Sequence, residues 1–217
     1  MKDIEKYFVD EKVFSPEYFR EALNKDYSNE FNFLKEKPKD ISIEGYIFPD
    51  TYNISLGEKA EDVFRLILSN FNKKLNTGLR EQIISQNKTI FEVITMASII
   101  EKEVKSTDDK KIVAGILWKR LDTGMLLQVD ATVNYITDKN HPRVTIKDTK
   151  IDSPYNTYKY KGLPKGPISN PGINSILAVI YPTESKYWYY LSSSFDGRTI
   201  FSKTFAEHSV AMAKYLK

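Results

Sequence analysis

Two glutamates, Glu101 and Glu103, follow the most apolar run of the sequence, Val93–Ile100. A run with so few polar residues predicts a helix in the middle of a core. Helical spacing would then set each carboxylate against apolar side chains, and loss of water raises the pKa of a carboxyl. A carboxyl that stays protonated near neutral pH can donate a proton to a leaving oxygen. The alternative is that both glutamates only mark the return of the helix to solvent beside Lys102 and Lys105.

Few other residue types in the sequence offer catalytic chemistry. Cysteine is absent, which excludes thiol catalysis, disulfides and cysteine-ligated zinc or iron–sulfur centres. The two histidines, His141 and His208, are too far apart for a helical metal motif, and no G-x-S-x-G motif accompanies them. A glycine-rich phosphate loop is missing as well. We therefore expect no metal, no cofactor and no catalytic histidine.

Two polar clusters combine groups that hydrogen-bond to ligand hydroxyls. The first is Gln128 with Asp130, and the second is the YNTY segment, which contains Asn156 and Tyr158. Flat rings beside amide and hydroxyl groups are typical of saccharide-binding clefts. Each cluster also has a structural interpretation, because Asp130 could cap a helix over 131–137 and the tyrosines could pack inward in an ordered turn.

Charge and hydropathy exclude other classes of protein. The 217 residues include 32 basic and 29 acidic side chains, a net charge of +3, so we expect no nucleic-acid partner. No apolar stretch reaches the length of a membrane span, and the first twenty residues carry charge throughout, unlike a signal peptide. We expect this chain to be a soluble fragment.

The apolar spacing predicts mainly helices. It indicates a helix within 58–75, a second from a cap at Thr89 to about Lys105, and a third from Asp108 or Asp109 to a stop at Gly124. Shorter helices are predicted over 176–180 and 205–216. The proline-rich and glycine-rich segment 138–170 predicts a long ordered loop with a functional role.

Two regions predict strands. Ile41–Phe48 alternates enough to be a strand, and 188–194 with 199–202 predicts a hairpin around Asp196-Gly197. Because helices and strands mix without a regular βαβ alternation, we expect an α+β fold of helices and short strands around one core. The charged residues 1–40, with Ser15-Pro16 as a helix start, predict a small N-terminal helical segment that ends near Pro38.

Several motifs together resemble the YceG-like family, the endolytic murein transglycosylases. They occur in the family's order: EGYIFPDTY (44–52), ASIIEKE (97–103), RLDTGMLLQVDATV (120–133), SPYNTY (153–158), GLPKGPI (162–168), NPG (170–172) and FSKTFAEH (201–208). The resemblance covers roughly residues 41–217, which it implies form a YceG-like catalytic domain. Residues 1–40 match loosely, and we expect them to hold at most the tail of a LysM-like subdomain.

The resemblance implies a reaction and a catalytic residue. Family members cleave the β-1,4 bond between N-acetylmuramic acid and N-acetylglucosamine in peptidoglycan glycan strands without water, leaving 1,6-anhydro-muramyl ends. The family's catalytic glutamate corresponds to Glu101, the first glutamate of ASIIEKE. By motif, the substrate-binding residues would be Gln128, Asp130, Asn156, Tyr158, Glu103 and Glu44.

The mechanism needs only one catalytic carboxylate. A hydrolase requires a second one, whereas a lytic enzyme can use the sugar's own C6 hydroxyl as nucleophile. We expect Glu101 to act first as acid and then as base, and the enzyme to terminate elongation of nascent glycans. Two alternatives stay open: a hydrolytic muramidase, and a catalytically silent peptidoglycan-binding or scaffold module.

The resemblance also implies a location. Full-length family members have an N-terminal membrane helix, so we expect a single-pass protein of the cytoplasmic membrane with its catalytic domain outside the cytoplasm. Membrane anchoring would run only through a segment absent from this chain. Its partners would be peptidoglycan glycan strands and membrane-bound wall-synthesis proteins.

Overall fold

The computed structural model describes residues 1–55, 57–138 and 144–216. Within them, nine α-helices and one two-stranded antiparallel sheet confirm the expected α+β class. The helices are α1 Lys2–Asp10, α2 Pro16–Asn24, α3 Ala60–Lys74, α4 Thr77–Ser85, α5 Ile90–Glu103, α6 Thr107–Asp122, α7 Asp130–Thr137, α8 Ile173–Ile180 and α9 Phe205–Tyr215. The strands are β1 Tyr189–Ser192 and β2 Thr199–Ser202, and two 3-10 turns cover Asn32–Leu34 and Asp148–Lys150.

Helix α5 is the central element, as its composition predicts. All eight residues of Val93–Ile100 are buried. Thr89 begins the helix with a capping box, in which its Oγ1 accepts from the Glu92 N–H at 3.1 Å and the Glu92 carboxylate accepts from the Thr89 N–H at 2.8 Å. Helices α4, α6, α7 and α8 all pack against it. The end of α5 is therefore enclosed by other elements on several sides.

Helix α6 begins earlier than the sequence indicates. The N-cap is Ser106, whose Oγ accepts from the Asp109 N–H at 3.1 Å, so neither Asp108 nor Asp109 holds that position. The helix ends before Gly124, which has φ +68°, as predicted. On its inner side, a Cβ at Gly115 would lie 2.3 Å from the Thr183 carbonyl oxygen. Glycine there allows the chain that leaves α8 to cross α6 closely.

The predicted strand at Ile41–Phe48 is wrong. The segment is a buried series of bends, and the backbone N–H groups of Gly45 and Ile47 both donate to the Asn170 side-chain oxygen, at 2.7 and 3.2 Å. Gly45 has φ +94°, which does not fit a strand, and its missing Cβ makes room for Pro167. The apolar pattern reflects burial in a loop, with a side chain in place of a partner strand.

The hairpin is confirmed. Strands β1 and β2 pair antiparallel with Tyr189 opposite Ser202, and Gly197 takes φ +70° in the connection. Buried Arg120 attaches β1 to the body by donating to the carbonyls of Trp188 at 2.9 Å and Leu127 at 2.6 Å. The same guanidinium therefore fixes the hairpin and the start of the loop that leads to α7.

Residues 1–40 share the core of the rest of the chain. The rings of Phe19 and Phe64 lie 5.5 Å apart, and those of Phe33 and Phe71 lie 4.9 Å apart. These pairs join α2 and the first 3-10 turn to α3. Packing therefore continues across residue 40, where the sequence suggests a boundary.

The loop between α7 and α8 docks on α5. Ser98 accepts from the Ile168 N–H at 3.0 Å and donates to the Thr95 carbonyl at 2.7 Å, while the Ser169 hydroxyl donates to the Ser98 carbonyl at 2.8 Å. These atoms are buried, so the bonds satisfy groups that water does not reach. Ser98, one of the two polar residues in the apolar run, therefore anchors the GLPKGPI segment to α5.

Among the described residues, no helix combines the length and the apolar character needed to cross a bilayer.

The serine anchor gives a stability prediction. Replacing Ser98→Ala leaves the buried Ile168 N–H without its acceptor, so we expect a loss of roughly 1–3 kcal/mol in the free energy of unfolding. Urea denaturation measures it. Ser85→Ala is the matched control, because Ser85 makes the same bond to the carbonyl three residues earlier on an exposed helix face; its effect should stay within about 0.5 kcal/mol. Equal losses in the two variants would contradict the anchoring role.

Candidate active site

Glu101 lies in the last turn of α5 and has one oxygen held by three donors. Its Oε2 accepts from the Ser175 hydroxyl at 2.5 Å, the Lys110 ammonium at 3.2 Å and the Gly172 N–H at 3.3 Å. These donors belong to α8, α6 and the turn that precedes α8. In the part of the chain that the structure describes, Oε1 accepts no hydrogen bond, and the side chain is 32% exposed. One oxygen is thus fixed and the other is available to a ligand.

The electrostatic state of Glu101 differs from the sequence expectation. Burial acts to raise the pKa of this carboxyl, but the Ser175 hydroxyl, the Lys110 charge and the Gly172 amide together hold it below its ordinary value. The expected increase in pKa is therefore wrong for Glu101. Helix spacing shows the apolar turns behind the carboxylate, but not the donors that α6 and α8 place in front of it.

Glu103 points to a different side of α5 and has the opposite character. Its Oε2 accepts from the Tyr190 hydroxyl at 3.0 Å and its Oε1 from the Ala131 N–H at 3.4 Å. Burial raises the pKa of Glu103 to about 7; the Tyr190 bond opposes this rise and the nearby Asp130 charge adds to it. The predicted increase in pKa is confirmed for this glutamate.

Glu103 also takes the place of a cap for α7. The N-cap position of α7 is Val129, which has no capping side chain, and Asp130 is the first helical residue. The Ala131 N–H of the first turn bonds instead to Glu103. A carboxyl oxygen at a helix N-terminus accepts hydrogen bonds from N–H groups that have no partner within the helix. The expected capping role of Asp130 is wrong.

Asp130 and Tyr158 form a pair beside Glu103. The Tyr158 hydroxyl donates to Asp130 Oδ1. Burial raises the pKa of Asp130, while the bond from Tyr158 lowers it. The structure thus brings together three of the residues that the motifs suggest for substrate binding, on α5, α7 and the loop that follows α7.

Gln128 is the exposed member of the group. Its backbone takes φ +52°, a left-handed conformation that is costly for a residue with a side chain, and its N–H donates to the Thr157 carbonyl at 3.1 Å. Thr157 also accepts the Val129 N–H at 3.0 Å through its hydroxyl. The loop before α7 is therefore held against the YNTY turn, with the Gln128 amide left in solvent.

Asn156 lies inside its own loop. It is completely buried, its amide donates to the carbonyls of Thr149 at 3.0 Å and Ile151 at 2.7 Å, and its oxygen accepts from the Tyr158 N–H at 3.0 Å. All of its side-chain polar atoms are thus used to shape the turn. The structure does not bring the Asn156 side chain to the surface where a saccharide could reach it.

Glu44 is also buried, and a tyrosine covers it. The Tyr135 hydroxyl donates to Glu44 Oε2 at 2.8 Å, and the Tyr135 ring lies 5.0 Å from that of Tyr155. The bond through Asn170 to the backbone of Gly45 links this loop to the segment whose Gly172 contacts Glu101. The structure therefore does not bring the Glu44 carboxylate to an exposed position.

The sequence analysis missed several residues at this site, namely Lys110, Ser175, Tyr190 and Tyr135. Ser175 carried a weak signal, since it follows the NPG motif by three residues at the start of a helix. Lys110 carried none, because a lysine in the first turns of a charged helix is usually exposed.

Of the two histidines, the structure describes His208. His208 stacks on Tyr189 at 5.3 Å between ring centroids, and burial lowers its pKa. His141 lies outside the described residues.

The raised pKa of Glu103 predicts a pH dependence of stability. Because folding raises its pKa from 4.5 to about 7, the folded chain binds more protons than the unfolded chain in this range, and stability falls as pH rises through it. Glu103→Gln cannot ionise. Its stability relative to the wild type should rise between pH 4.5 and 7, by up to about 3 kcal/mol, and level off above pH 7.

Denaturant unfolding of both proteins across this pH range measures the difference. Glu81→Gln, on the exposed side of α4, is the control and should show no such trend. A difference between wild type and Glu103→Gln that is independent of pH would mean that Glu103 is not held in a desolvated site.

Comparisons with known proteins show which family the chain belongs to. The model of the YceG-like family matches residues 2–214. An endolytic murein transglycosylase of Bacillus subtilis (strain 168) is 39% identical over 176 residues, 80% of this chain and 48% of that protein. One from Streptococcus pneumoniae serotype 2 is 31% identical over 188 residues, 84% of this chain and 34% of that protein.

The fold has a solved counterpart. The 2.6 Å crystal structure of a yceG-like protein from Listeria monocytogenes superposes with a TM-score of 0.83 at 32% identity, covering 91% of this chain and 68% of that one. The chain spans about half of the curated Bacillus relative and a third of the streptococcal one. The match to the family model over nearly the whole sequence shows that this chain belongs to the YceG-like family.

Proposed function

We propose that this chain is the catalytic part of a peptidoglycan lytic transglycosylase. Its substrate would be the β-1,4 bond between N-acetylmuramic acid and N-acetylglucosamine within glycan strands. The names of the relatives support a murein transglycosylase. The observation that carries the proposal is the arrangement at Glu101, a solvent-reachable carboxylate with Oε2 held by three donors and Oε1 available.

A single carboxyl group at this position can complete the reaction. Protonated Glu101 gives its proton to the glycosidic oxygen, and the bond from that oxygen to C1 of muramic acid breaks. The C6 hydroxyl oxygen of the same sugar then bonds to C1, and its proton passes to the Glu101 carboxylate. The products are a 1,6-anhydro-muramyl end and a free 4-hydroxyl. No water is consumed, and Glu101 returns to its starting state.

The lowered pKa of Glu101 describes the chain without substrate. A saccharide that covers the side chain removes water from it, and desolvation favours the protonated form. Once the proton has moved, the carboxylate lies beside the positive charge that develops at C1 and stabilises it. Protonation would thus be coupled to binding of the glycan.

The residues near Glu103 would contact the saccharide in different ways. Gln128 offers an exposed amide, and Tyr158 with Asp130 offers a hydroxyl and a carboxylate beside it. Glu103 would hold these residues in place indirectly, through its hydrogen bonds with the Ala131 N–H and the Tyr190 hydroxyl. Asn156 and Glu44 would act indirectly, by shaping the loops that carry Tyr158 and Tyr135.

A hydrolytic muramidase is the second candidate. The observation in its favour is that Glu103 and Asp130 lie close together, half-buried, with raised pKa values, about 7 for Glu103, since hydrolysis needs a second carboxyl group. The products differ by one water in mass. A scaffold without catalytic activity would yield neither product.

The proposed substrate also suggests a location. Peptidoglycan lies outside the cytoplasmic membrane, and the curated relatives are more than twice as long as the matched region. We infer that the full protein acts there, anchored in the membrane by a segment beyond this chain. Its partners would be membrane-bound wall-synthesis proteins, and cleavage would terminate nascent glycans.

The reaction is tested on purified glycan strands analysed by mass spectrometry. The wild-type chain should release fragments with 1,6-anhydro ends, and Glu101→Gln should lower the rate by at least about 100-fold, because it removes the acid and base. Glu81→Gln should retain the wild-type rate. Fragments with reducing ends one water heavier would favour the muramidase, and full activity of Glu101→Gln would exclude Glu101 as the catalytic residue.

A saccharide contact at Gln128 gives a separate prediction. Gln128→Ala removes one neutral hydrogen bond, so kcat/KM should fall by up to about tenfold, mainly through KM. Stability should change by less than about 0.5 kcal/mol, because the side chain is exposed. Steady-state cleavage of defined glycan oligomers measures the effect, and an unchanged KM would remove Gln128 from the binding site.

A further inference from the structure

Lys110 is a buried cation that the proposed reaction does not yet use. It lies on α6 and is 7% exposed. Among the described residues, its ammonium has one hydrogen-bond and ion-pair partner, Glu101 Oε2 at 3.2 Å. Removing a lysine from water is costly unless its charge is compensated. The position of Lys110 is therefore defined by Glu101.

Lys110 is the charged group that faces Glu101. Its charge lowers the pKa of Glu101, and it is the ionisable side chain at hydrogen-bond distance from that carboxylate. Helix α8 has no ionisable residue, and the turn at 170–172 has none either. Four other ionisable side chains on α4, α5, α6 and α7 bond elsewhere: Asp109 to Thr199, Asp130 to Tyr158, Glu103 to Tyr190 and Arg80 to the Leu75 carbonyl. Lys102, Asp108 and Asp122 on α5 and α6 are exposed to solvent.

The remaining donors to Glu101 are neutral. The Ser175 hydroxyl and the Gly172 N–H orient Oε2, and they bring no net charge. A cation at hydrogen-bond distance instead favours the ionised carboxylate over the acid. All three donors meet the same oxygen, so the contact from Lys110 leaves Oε1 as the oxygen for proton transfer.

We propose that Lys110 is a positioning residue of the active site, which fixes Glu101 Oε2 and its negative charge so that proton transfer runs through Oε1. The proposal rests on the proposed function for its catalytic meaning, but the link between the two side chains can be measured without activity. The proposal predicts the direction in which Lys110 changes the ionisation of Glu101. The ammonium makes Glu101 ionised in the free chain, so the fraction available as an acid falls as pH rises above a low value.

Replacing the ammonium tests the charge directly. Lys110→Met keeps the length of the side chain and removes its charge, whereas Lys110→Arg keeps the charge. Lys102→Met is the matched control, because Lys102 is exposed and adjacent to Glu101 in sequence. Circular dichroism of each purified chain establishes that it is folded before titration.

The first measurement is a pH titration of the Glu101 side-chain carboxyl carbon by ¹³C NMR, assigned by its loss in Glu101→Gln. In the wild type, the midpoint should lie below the ordinary value of 4.5. It should rise by on the order of one pH unit in Lys110→Met and stay within about 0.3 unit in Lys110→Arg and Lys102→Met. An unshifted midpoint in folded Lys110→Met overturns the proposal. A wild-type midpoint at or above 4.5 does the same, even if that variant does not fold.

The second measurement is the pH profile of glycan cleavage. The alkaline limb of kcat, which reports loss of the acid form in the bound state, should move to higher pH in Lys110→Met and return in Lys110→Arg. A fall in kcat without movement of the limb would reduce Lys110 to a structural residue and contradict the proposal. If no variant, including the wild type, cleaves glycans while the NMR midpoints shift as expected, the proposed function fails and the effect of Lys110 on Glu101 stands.

Discussion

The burial of α5 is the constraint on which the rest of the molecule depends. Its central residues are buried on every face, and all but Thr95 and Ser98 are apolar, so water is excluded from all sides of the helix. Helices α4, α6, α7 and α8 and the loop at Ile168 provide that cover. A helix enclosed in this way ends among other elements rather than at an open surface. Its last turn carries Glu101 and Glu103, so both carboxylates meet partners from other parts of the chain.

Glu101 and Glu103 are only two residues apart on α5, but their surroundings shift their pKa values in opposite directions. Glu101 faces α6 and α8, where a cation and two neutral donors favour its charge, while Glu103 faces α7 and β1, where burial favours the proton. One helix end thus holds one glutamate whose pKa is lowered and one whose pKa is raised to about 7. The first has the exposure that a reacting group needs. Glu103 instead connects α5 to α7 and β1, because it accepts hydrogen bonds from the Ala131 N–H and the Tyr190 hydroxyl.

The predictions succeeded where a local pattern carries the cause. The capping box at Thr89, the stop at Gly124 and the hairpin around Gly197 each depend on residues close in sequence. The strand at Ile41–Phe48 failed because Asn170, more than 120 residues away, supplies the hydrogen-bond acceptor for that backbone. At the site, the motifs named Glu103, Asp130 and Tyr158, which lie close together in the fold. They also named Asn156, which is enclosed by its own loop.

The sequence by itself determined that α5 would be buried and that two glutamates would stand at its end, because composition and helical period are local properties. The tertiary structure alone decided which glutamate has its pKa lowered and which has it raised. The pKa of a carboxyl depends on groups within a few ångströms, and Lys110, Ser175 and Tyr190 reach that distance only after α6, α8 and β1 have packed. Helical spacing could report the apolar turns behind each carboxylate, but it contains no information about the donors in front.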